Sequence, residues 1–143
     1  KLFFDVAELV QDRNVIPQKK QTYERRILVV DDNQSLRTFT ALMLEKQGYE
    51  VVQANDGQQA LDAVESSDFD LILMDIEMPF IDGIEATRVI RDSDKPYRHI
   101  PIVGHTGDNS PMTIEKIHKS GMNDYIVKPA DKDKLLGKLA NWI

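Results

Sequence analysis

Short apolar segments alternate with amphipathic segments along most of this chain. The apolar segments span only four to six residues, and the segments between them carry apolar side chains at helical spacing. Strands that alternate with helices build parallel β-α-β units with right-handed crossovers. Strands that are almost wholly apolar are typical of sheets covered by helices on both faces. We therefore predict an α/β domain with five helices and a doubly wound, five-stranded parallel sheet, with its strands at residues 26–30, 49–54, 70–74, 100–104 and 124–127.

The predicted helices have recognisable ends. A side-chain oxygen at the N-cap accepts a hydrogen bond from a free backbone amide of the first turn, and glycine often ends a helix in the left-handed conformation. On the first helix, the spacing places Leu36, Phe39 and Met43 on one apolar face, which we expect to face the core. Gly48 and Gly121 are the predicted helix stops. The predicted N-caps are Asn33, Asp56, Asp82, Ser110 and Asp131.

Polar side chains follow four of the five predicted strands. Asp31 and Asp32 follow the first strand, Asp75 follows the third, Lys128 follows the fifth, and the fourth leads into His105-Thr106-Gly107. The carboxyl ends of the strands share one edge of such a sheet, where ligands bind next to the point at which the strand order reverses. Carboxylates that converge repel one another, so this arrangement indicates a cation or a chemical purpose.

The residue types at this edge suit phosphoryl transfer. Carboxylate oxygens with open coordination positions suit Mg²⁺, which is commonly completed by phosphate oxygens. An aspartate beside Mg²⁺ can attack phosphorus and become an aspartyl phosphate. Lys128 would then neutralise charge on the transferred group, Thr106 would donate a hydrogen bond to it, and Gly107 would leave space for it.

Composition argues against several other classes of protein. The 143 residues carry a formal net charge of −6 at pH 7 and a pI of about 5.0, which disfavours a nucleic-acid-binding surface. The chain contains no cysteine, so a disulfide, a thiolate metal site and a cysteine nucleophile are excluded. No apolar stretch approaches the ~20 residues that span a bilayer. A dinucleotide site needs a glycine-rich turn after the first strand, where this chain has Asp31-Asp32-Asn33.

The first 25 residues differ from the rest of the chain. We predict a helix and a linker over residues 1–25 and the main domain over residues 26–143. The pattern fits an interdomain helix of a larger protein as well as a dimerisation or docking helix. Because the sequence lacks an initiator methionine, we expect a fragment of a longer chain. The apolar residues with helical spacing in this segment are Leu2, Val6, Leu9 and Val10.

An ordered set of motifs resembles the receiver domain of two-component response regulators. The resemblance extends from about Arg26 to Ile143. It implies a flavodoxin-like sheet with strand order 2-1-3-4-5, in which strands one, three, four and five are neighbours. No single motif is decisive, but the ordered set is specific. The motifs are Ile27-Leu28-Val29-Val30-Asp31-Asp32-Asn33, Asp75-Ile76-Glu77-Met78-Pro79 with Asp82-Gly83, Thr106-Gly107, and Asp124-Tyr125-Ile126-Val127-Lys128-Pro129.

The resemblance implies roles for the residues that hold the metal and the phosphoryl group. Asp75 matches the phosphoacceptor. Asp31 and Asp32 match the acidic pair that binds Mg²⁺ together with Asp75 and the backbone carbonyl of Glu77. Lys128 matches the invariant lysine that contacts the phosphoryl group. All of these positions are intact, so we expect an active receiver.

Further residues are implied to sense or flank the phosphoryl group. Thr106 matches the switch hydroxyl, and Tyr125 matches the aromatic residue that changes rotamer when the hydroxyl moves. His105 stands where an aliphatic residue is commoner. The charge of the acidic residues near the phosphate entrance would alter the lifetime of the phosphoryl group. The residues adjacent to this entrance are Gly107, Glu77 and Asp108.

The function implied is that of a phosphoacceptor in signal transduction or a phosphorelay. Asp75 would take a phosphoryl group from a phosphohistidine, with self-catalysed phosphorylation and dephosphorylation. The partner would be a histidine kinase or a histidine phosphotransfer domain. The last two β/α units would then change the surface that they present.

Two questions stay open at this level. The C-terminal receiver of a hybrid histidine kinase and a stand-alone regulator both fit the motifs, and the first fits better. A phosphate-independent interaction domain on the same fold is the alternative function. A dehalogenase-type phosphatase is disfavoured because its D-x-D motif after the first strand is missing here. We expect a cytoplasmic domain, either on its own or as the cytoplasmic part of a membrane-bound kinase, with no direct contact to nucleic acid or to the bilayer.

Overall fold

The computed structural model describes residues 25–143, so the helix and most of the linker predicted for residues 1–25 lie outside the described part. The strands are β1 (Arg26–Val30), β2 (Glu50–Ala54), β3 (Leu71–Asp75), β4 (Ile102–Thr106) and β5 (Asp124–Val127). The helices are α1 (Gln34–Glu45), α2 (Gly57–Ser66), α3 (Gly83–Asp92), α4 (Pro111–Ser120) and α5 (Lys132–Ala140). A short 3-10 helix, Pro96–His99, precedes β4.

The five strands form one parallel sheet in the order β2-β1-β3-β4-β5. This arrangement confirms the doubly wound sheet predicted from the alternation and the strand order implied by the resemblance. The order reverses between β1 and β3, where such sheets place their ligand site. The carboxyl ends of β1, β3, β4 and β5 therefore lie side by side.

Each face of the sheet has its own core, because successive side chains of a strand point to opposite faces. One core contains Ile27, Leu73 and Val103 of the sheet, packed against Leu44 of α1 and Leu135 of α5. The opposite core is built from the alternate strand residues and from α2, α3 and α4. Its largest sheet and helix members include Leu28, Ile72, Met74, Ile102, Val64, Ile84, Ile90 and Ile117.

The helix ends follow the sequence expectations. All five predicted N-caps accept a backbone hydrogen bond from the amide three residues later. Gly48 and Gly121 have φ values of 98° and 99°, in the left-handed region that glycine adopts without strain. The helices are thus delimited by local chemistry that is readable in the sequence.

Two sequence expectations are wrong. Phe39 is 60% exposed, and the buried residues of α1 are Thr40, Ala41 and Leu44. The buried face of α1 is therefore offset around the helix from the predicted one, and Phe39 faces solvent. The fourth strand begins two residues later than predicted, because the 3-10 helix closes with an Ile100 N–H to Tyr97 O hydrogen bond.

Gly83 allows the first turn of α3 to lie directly against β3. A Cβ atom at this position would overlap the carbonyl oxygen of Asp75 and would crowd the side chain of Met74. Glycine therefore permits a close backbone approach here. The amide of Gly83 donates to Ile76 O at 3.0 Å, which fixes the loop that follows Asp75.

None of the helices within residues 25–143 is both long enough and apolar enough to cross a bilayer.

Candidate phosphoacceptor and metal site

The carboxyl edge of the sheet brings together the residues predicted to share a site. Asp75 is the last residue of β3, Thr106 is the last residue of β4, and Asp31 and Lys128 directly follow β1 and β5. The backbone pairing continues past the strand ends, because Lys128 N donates to Thr106 O at 2.7 Å. The Lys128–Pro129 peptide bond is cis, a state that the sequence left undecided.

Three carboxylates form a compact group, called here the carboxylate cluster. One oxygen from each of Asp31, Asp32 and Asp75 lies within 4.8 Å of the others. Asp31 and Asp75 are buried, at 3% and 1% exposure, whereas Asp32 is exposed. Asp31 Oδ1 accepts a hydrogen bond from Asn33 N at 2.9 Å, which holds that carboxylate in place. The cluster combines two fixed, buried acids with one acid open to solvent.

Lys128 is the cation that faces the cluster. Its Nζ donates to Asp75 Oδ1 at 2.9 Å and lies 3.5 Å from Asp31 Oδ2. Burial on its own would lower the pKa of Lys128, but the hydrogen bond and the charge of Asp75 outweigh burial and raise it. Lys128 is therefore protonated at neutral pH. One ammonium faces three carboxylates, so negative charge remains in excess.

Asp75 is difficult to ionise in this arrangement. Burial raises its pKa from the usual 3.8 to about 7, and the negative charge of Asp31 acts in the same direction. The hydrogen bond from Lys128 and its positive charge oppose this rise without cancelling it. A second cation at the cluster would restore the ionised form of Asp75.

The cluster fits a divalent cation with a preference for oxygen ligands. Its ligands are all carboxylate oxygens, and the exposed Asp32 leaves the cluster open towards solvent. Mg²⁺ takes oxygen ligands, keeps several waters and needs few protein groups. The excess negative charge and the raised pKa of Asp75 both favour a cation at this place. The backbone carbonyl of Glu77 stays a predicted further ligand.

The side chain of Glu77 makes a contact that sequence reasoning missed. Thr106, which is fully buried, donates its hydroxyl proton to Glu77 Oε2 at 2.7 Å, and Gly107 N donates to Glu77 Oε1 at 3.2 Å. From the sequence, the Thr106 hydroxyl and the space beside Gly107 are predicted to serve a phosphoryl group. The signal available in the sequence was an acid two residues after Asp75, facing a hydroxyl at the end of the neighbouring strand.

Asp108 links the same hydroxyl to the start of α4. Its amide donates to Thr106 Oγ1 at 3.0 Å. Its carboxylate accepts from Ser110 N at 2.8 Å and from Thr113 Oγ1 at 2.7 Å, and these hydrogen bonds lower the pKa of Asp108. We call Thr106, Glu77, Gly107 and Asp108 the hydroxyl network.

His105 and Tyr125 lie next to the site. His105 pairs with Asp75 in the strand register, and its Nε2 has no hydrogen-bond partner among the described residues. Burial lowers the pKa of His105 to about 4, helped by the charge of Lys128, so its ring is neutral at pH 7. Tyr125 is half-buried and meets the His118 ring edge to face, with ring centroids 6.5 Å apart.

Comparison with solved structures places this site in a known fold. Chemotaxis protein CheY4 of Vibrio cholerae superposes with a TM-score of 0.79 at 32% identity, over 83% of this chain and 98% of that chain. The receiver domain of sensor histidine kinase PA1611 from Pseudomonas aeruginosa gives a TM-score of 0.76 at 37% identity, over 82% of this chain and 96% of that one. A magnesium ion is coordinated in the active site cleft of the PA1611 domain.

Comparison of sequences gives a consistent result. The chain is 62% identical, over 143 residues, to the CAI-1 autoinducer sensor kinase/phosphatase CqsS of Vibrio cholerae. The alignment covers all of this chain and 21% of CqsS, so the chain spans about a fifth of that relative. The family model of the response regulator receiver domain matches residues 27–140. The strand order, the acids at the sheet edge and these matches establish that the chain belongs to the family of response regulator receiver domains of two-component systems.

Proposed function

We propose that this domain accepts a phosphoryl group from a phosphohistidine onto Asp75, with Mg²⁺ as cofactor. The observation that carries the proposal is the position of Asp75, a buried carboxylate with Lys128 Nζ at 2.9 Å and two further carboxylates beside it. Such a pairing of a nucleophilic acid with an ammonium and a cation site supports phosphoryl transfer. The magnesium ion in the cleft of the PA1611 receiver supports the choice of metal.

In the transfer step, an Asp75 carboxylate oxygen attacks phosphorus while the bond from phosphorus to the histidine nitrogen breaks. The electron pair of that bond stays on the departing imidazole. Lys128 holds the attacking carboxylate in position and balances charge as the phosphoryl oxygens approach. Asp31, Asp32 and the Glu77 carbonyl would hold Mg²⁺, which would supply positive charge that favours the ionised carboxylate and offsets the charge of the phosphoryl oxygens.

The phosphoryl group then changes the surface of the domain. It brings roughly two negative charges to the sheet edge, where Thr106 and Lys128 supply donors. Thr106 is bonded to Asp108, which in turn holds the first turn of α4. A movement of the hydroxyl would therefore reach α4, and Tyr125 would adjust its rotamer in response. This is the route by which we expect the last two β/α units to signal.

The donor is a histidine kinase or a histidine phosphotransfer domain, and the domain serves as the receiver of a hybrid sensor kinase. The similarity to CqsS over all of this chain supports this context. In such a protein, residues 26–143 form the receiver, residues 1–25 connect it to preceding domains, and the receiver operates on the cytoplasmic side.

The test is phosphorylation by a small donor. The chain is incubated with Mg²⁺ and acetyl phosphate, and intact mass is measured. We expect the unmodified chain to gain one phosphoryl group. No gain is expected when a chelator is present from the start, or in Asp75→Asn. Asp92→Asn, a change at an exposed acid on α3, is the matched control and should gain the group normally. No gain in the unmodified chain would instead favour a phosphate-independent interaction domain, and a gain that survives in Asp75→Asn would refute the choice of acceptor.

A further inference from the structure

Glu77 places an exposed carboxylate over two hydrogen-bond donors of the proposed phosphate site. Its Oε2 accepts from the Thr106 hydroxyl at 2.7 Å, and its Oε1 accepts from Gly107 N at 3.2 Å. One carboxylate thus uses both oxygens on two adjacent residues at the end of β4. This geometry resembles the way in which an oxyanion with several oxygens would be held.

The Thr106 hydroxyl has only one proton to donate. Asp108 O lies 3.0 Å from Thr106 Oγ1 and is the competing acceptor. The Glu77 oxygen is closer and carries charge, so it takes the proton, while the Asp108 amide donates to the hydroxyl lone pair. Thr106 is buried, so water offers its hydroxyl no equivalent alternative. A hydroxyl committed to Glu77 cannot donate to another group at the same time.

We propose that Glu77 is a positioning residue that competes with the phosphoryl group for the Thr106 hydroxyl and the Gly107 amide. This inference rests on the function proposed above, since the competitor is the phosphoryl group on Asp75. The Glu77 carboxylate stabilises the unphosphorylated arrangement by occupying these donors. Phosphorylation requires Glu77 to leave, and its exposed position lets it turn into solvent without crossing the core.

The competition also bears on α4. Thr106 accepts from the Asp108 amide, and the Asp108 carboxylate holds Ser110 N and Thr113 Oγ1 at the start of that helix. While Glu77 accepts from the Thr106 hydroxyl, these hydrogen bonds hold Thr106, Asp108 and the start of α4 in one arrangement. When Glu77 leaves, Thr106 is free to move, so Glu77 sets how readily the start of α4 responds to phosphorylation.

The test uses beryllofluoride with Mg²⁺ as the phosphoryl analogue, with affinity followed by NMR titration of the whole chain. We expect Glu77→Ala to bind about threefold to tenfold tighter, because a competing charge-assisted hydrogen bond is lost. Glu77→Gln, which keeps an uncharged acceptor, should have an affinity between those of the unmodified chain and Glu77→Ala. In a Thr106→Val background, Glu77→Ala should raise the affinity less, because only the Gly107 amide is then released. In a Thr106→Ser background, which keeps the hydroxyl, the full gain in affinity should persist.

Loss of negative charge alone is the main rival explanation. It predicts equal effects of Glu77→Gln and Glu77→Ala, unchanged by Thr106→Val, and either result would overturn the competition. Asp92→Asn is the matched control, because it removes one exposed acidic charge from α3, outside the carboxylate cluster and the hydroxyl network. It should change the affinity by less than about twofold, whereas a gain equal to that of Glu77→Ala would contradict the proposal.

A second measurement separates failure of this inference from failure of the proposed function. Amide hydrogen exchange at Gly107, without metal or analogue, should be faster in Glu77→Ala than in the unmodified chain, since Glu77 Oε1 accepts from that amide. Unchanged exchange would overturn the contact itself. If exchange changes but the unmodified chain neither binds beryllofluoride nor gains a phosphoryl group, the contact stands and the phosphoacceptor function fails.

Discussion

The carboxylate cluster and the hydroxyl network lie at the same sheet edge but differ in how their charges are held. Asp31 and Asp75 are buried and share one ammonium, that of Lys128. In the hydroxyl network, Glu77 and Asp108 are exposed and each accepts two hydrogen bonds. Charges in the buried cluster are screened little by water, whereas those of the exposed network are screened well. The cluster is therefore suited to chemistry, and the network can rearrange at low energy.

The comparison predicts that changes near the cluster alter stability more than changes in the network. The largest effect is expected for Gly83→Ala, because the added Cβ would overlap the backbone oxygen of Asp75, which cannot rotate away. We expect a loss of about 3 kcal/mol in the free energy of unfolding, the upper end of the usual range for overpacking. Denaturant unfolding measures it, and a loss below about 1 kcal/mol would show that the loop after Asp75 is loosely held.

Removal of the ammonium is the next test. Lys128→Met should destabilise the domain by about 2–3 kcal/mol at pH 8 without metal, since it leaves buried carboxylates unpaired. The loss should shrink at pH 5, where Asp75 becomes protonated, and on addition of Mg²⁺. Lys119→Met is the control, because Lys119 forms an exposed ion pair with Glu115 and should change stability little. Equal losses of stability in Lys128→Met and Lys119→Met would show that burial of the ion pair does not decide its contribution.

Asp75→Asn should stabilise the domain at neutral pH. The folded-state pKa of Asp75 is raised to about 7 above its usual 3.8, so the folded chain binds a proton more readily than the unfolded chain in this interval. Ionisation of Asp75 therefore lowers stability as pH rises from about 4 to about 7. A pKa difference of this size corresponds to about 4 kcal/mol. Relaxation and water entry around the ionised carboxylate should reduce the gain in the variant to about 2 kcal/mol at pH 7 without Mg²⁺. Unfolding curves from pH 4 to 8 measure the difference, and a gain that does not grow with pH would contradict this origin.

Glu77→Ala should cost less than about 1 kcal/mol of stability, because the Glu77 carboxylate is exposed and Asp108 O, 3.0 Å from Thr106 Oγ1, can accept the hydroxyl proton in its place. The same variant is expected to have a large effect on binding of the phosphoryl analogue. Thermal unfolding together with the beryllofluoride titration measures both quantities. If Glu77→Ala destabilises the chain as much as Lys128→Met does, the two regions do not differ as described.

The smallest effect is expected for Gly107→Ala. No atom lies within 4 Å of a Cβ built at Gly107, and its φ is not in the left-handed region. We expect a change in stability below about 0.5 kcal/mol, the range of ordinary surface substitutions. Measured beside Gly83→Ala, it tests directly whether packing at the sheet edge is tight behind Asp75 and open beside Thr106.

Much of the fold was predictable because its determinants are local. N-caps such as Asn33 and Asp56 act within one helical turn, and the apolar strands differ plainly from the polar turns between them. The buried face of α1 differs from the predicted one because side-chain size does not decide burial here, where the small Thr40 and Ala41 are buried. Ala41 and Leu44 face the core and Phe39 faces solvent, which depends on how α1 is rotated against the sheet. The start of β4 was misplaced because the 3-10 helix before it has a weak pattern.

For the site, the sequence by itself determined which acids, hydroxyl and lysine stand at the strand ends, since each directly follows an apolar strand. Only the tertiary structure decided how they meet. The hydrogen bond from Lys128 to Asp75 spans 53 residues, and that from Thr106 to Glu77 spans 29. Partners so distant in sequence depend on strand order and register, and the raised pKa of Asp75 depends on burial by neighbours from several elements. Local sequence patterns thus identify the residues of the site, whereas long-range packing determines their hydrogen-bond partners and their protonation.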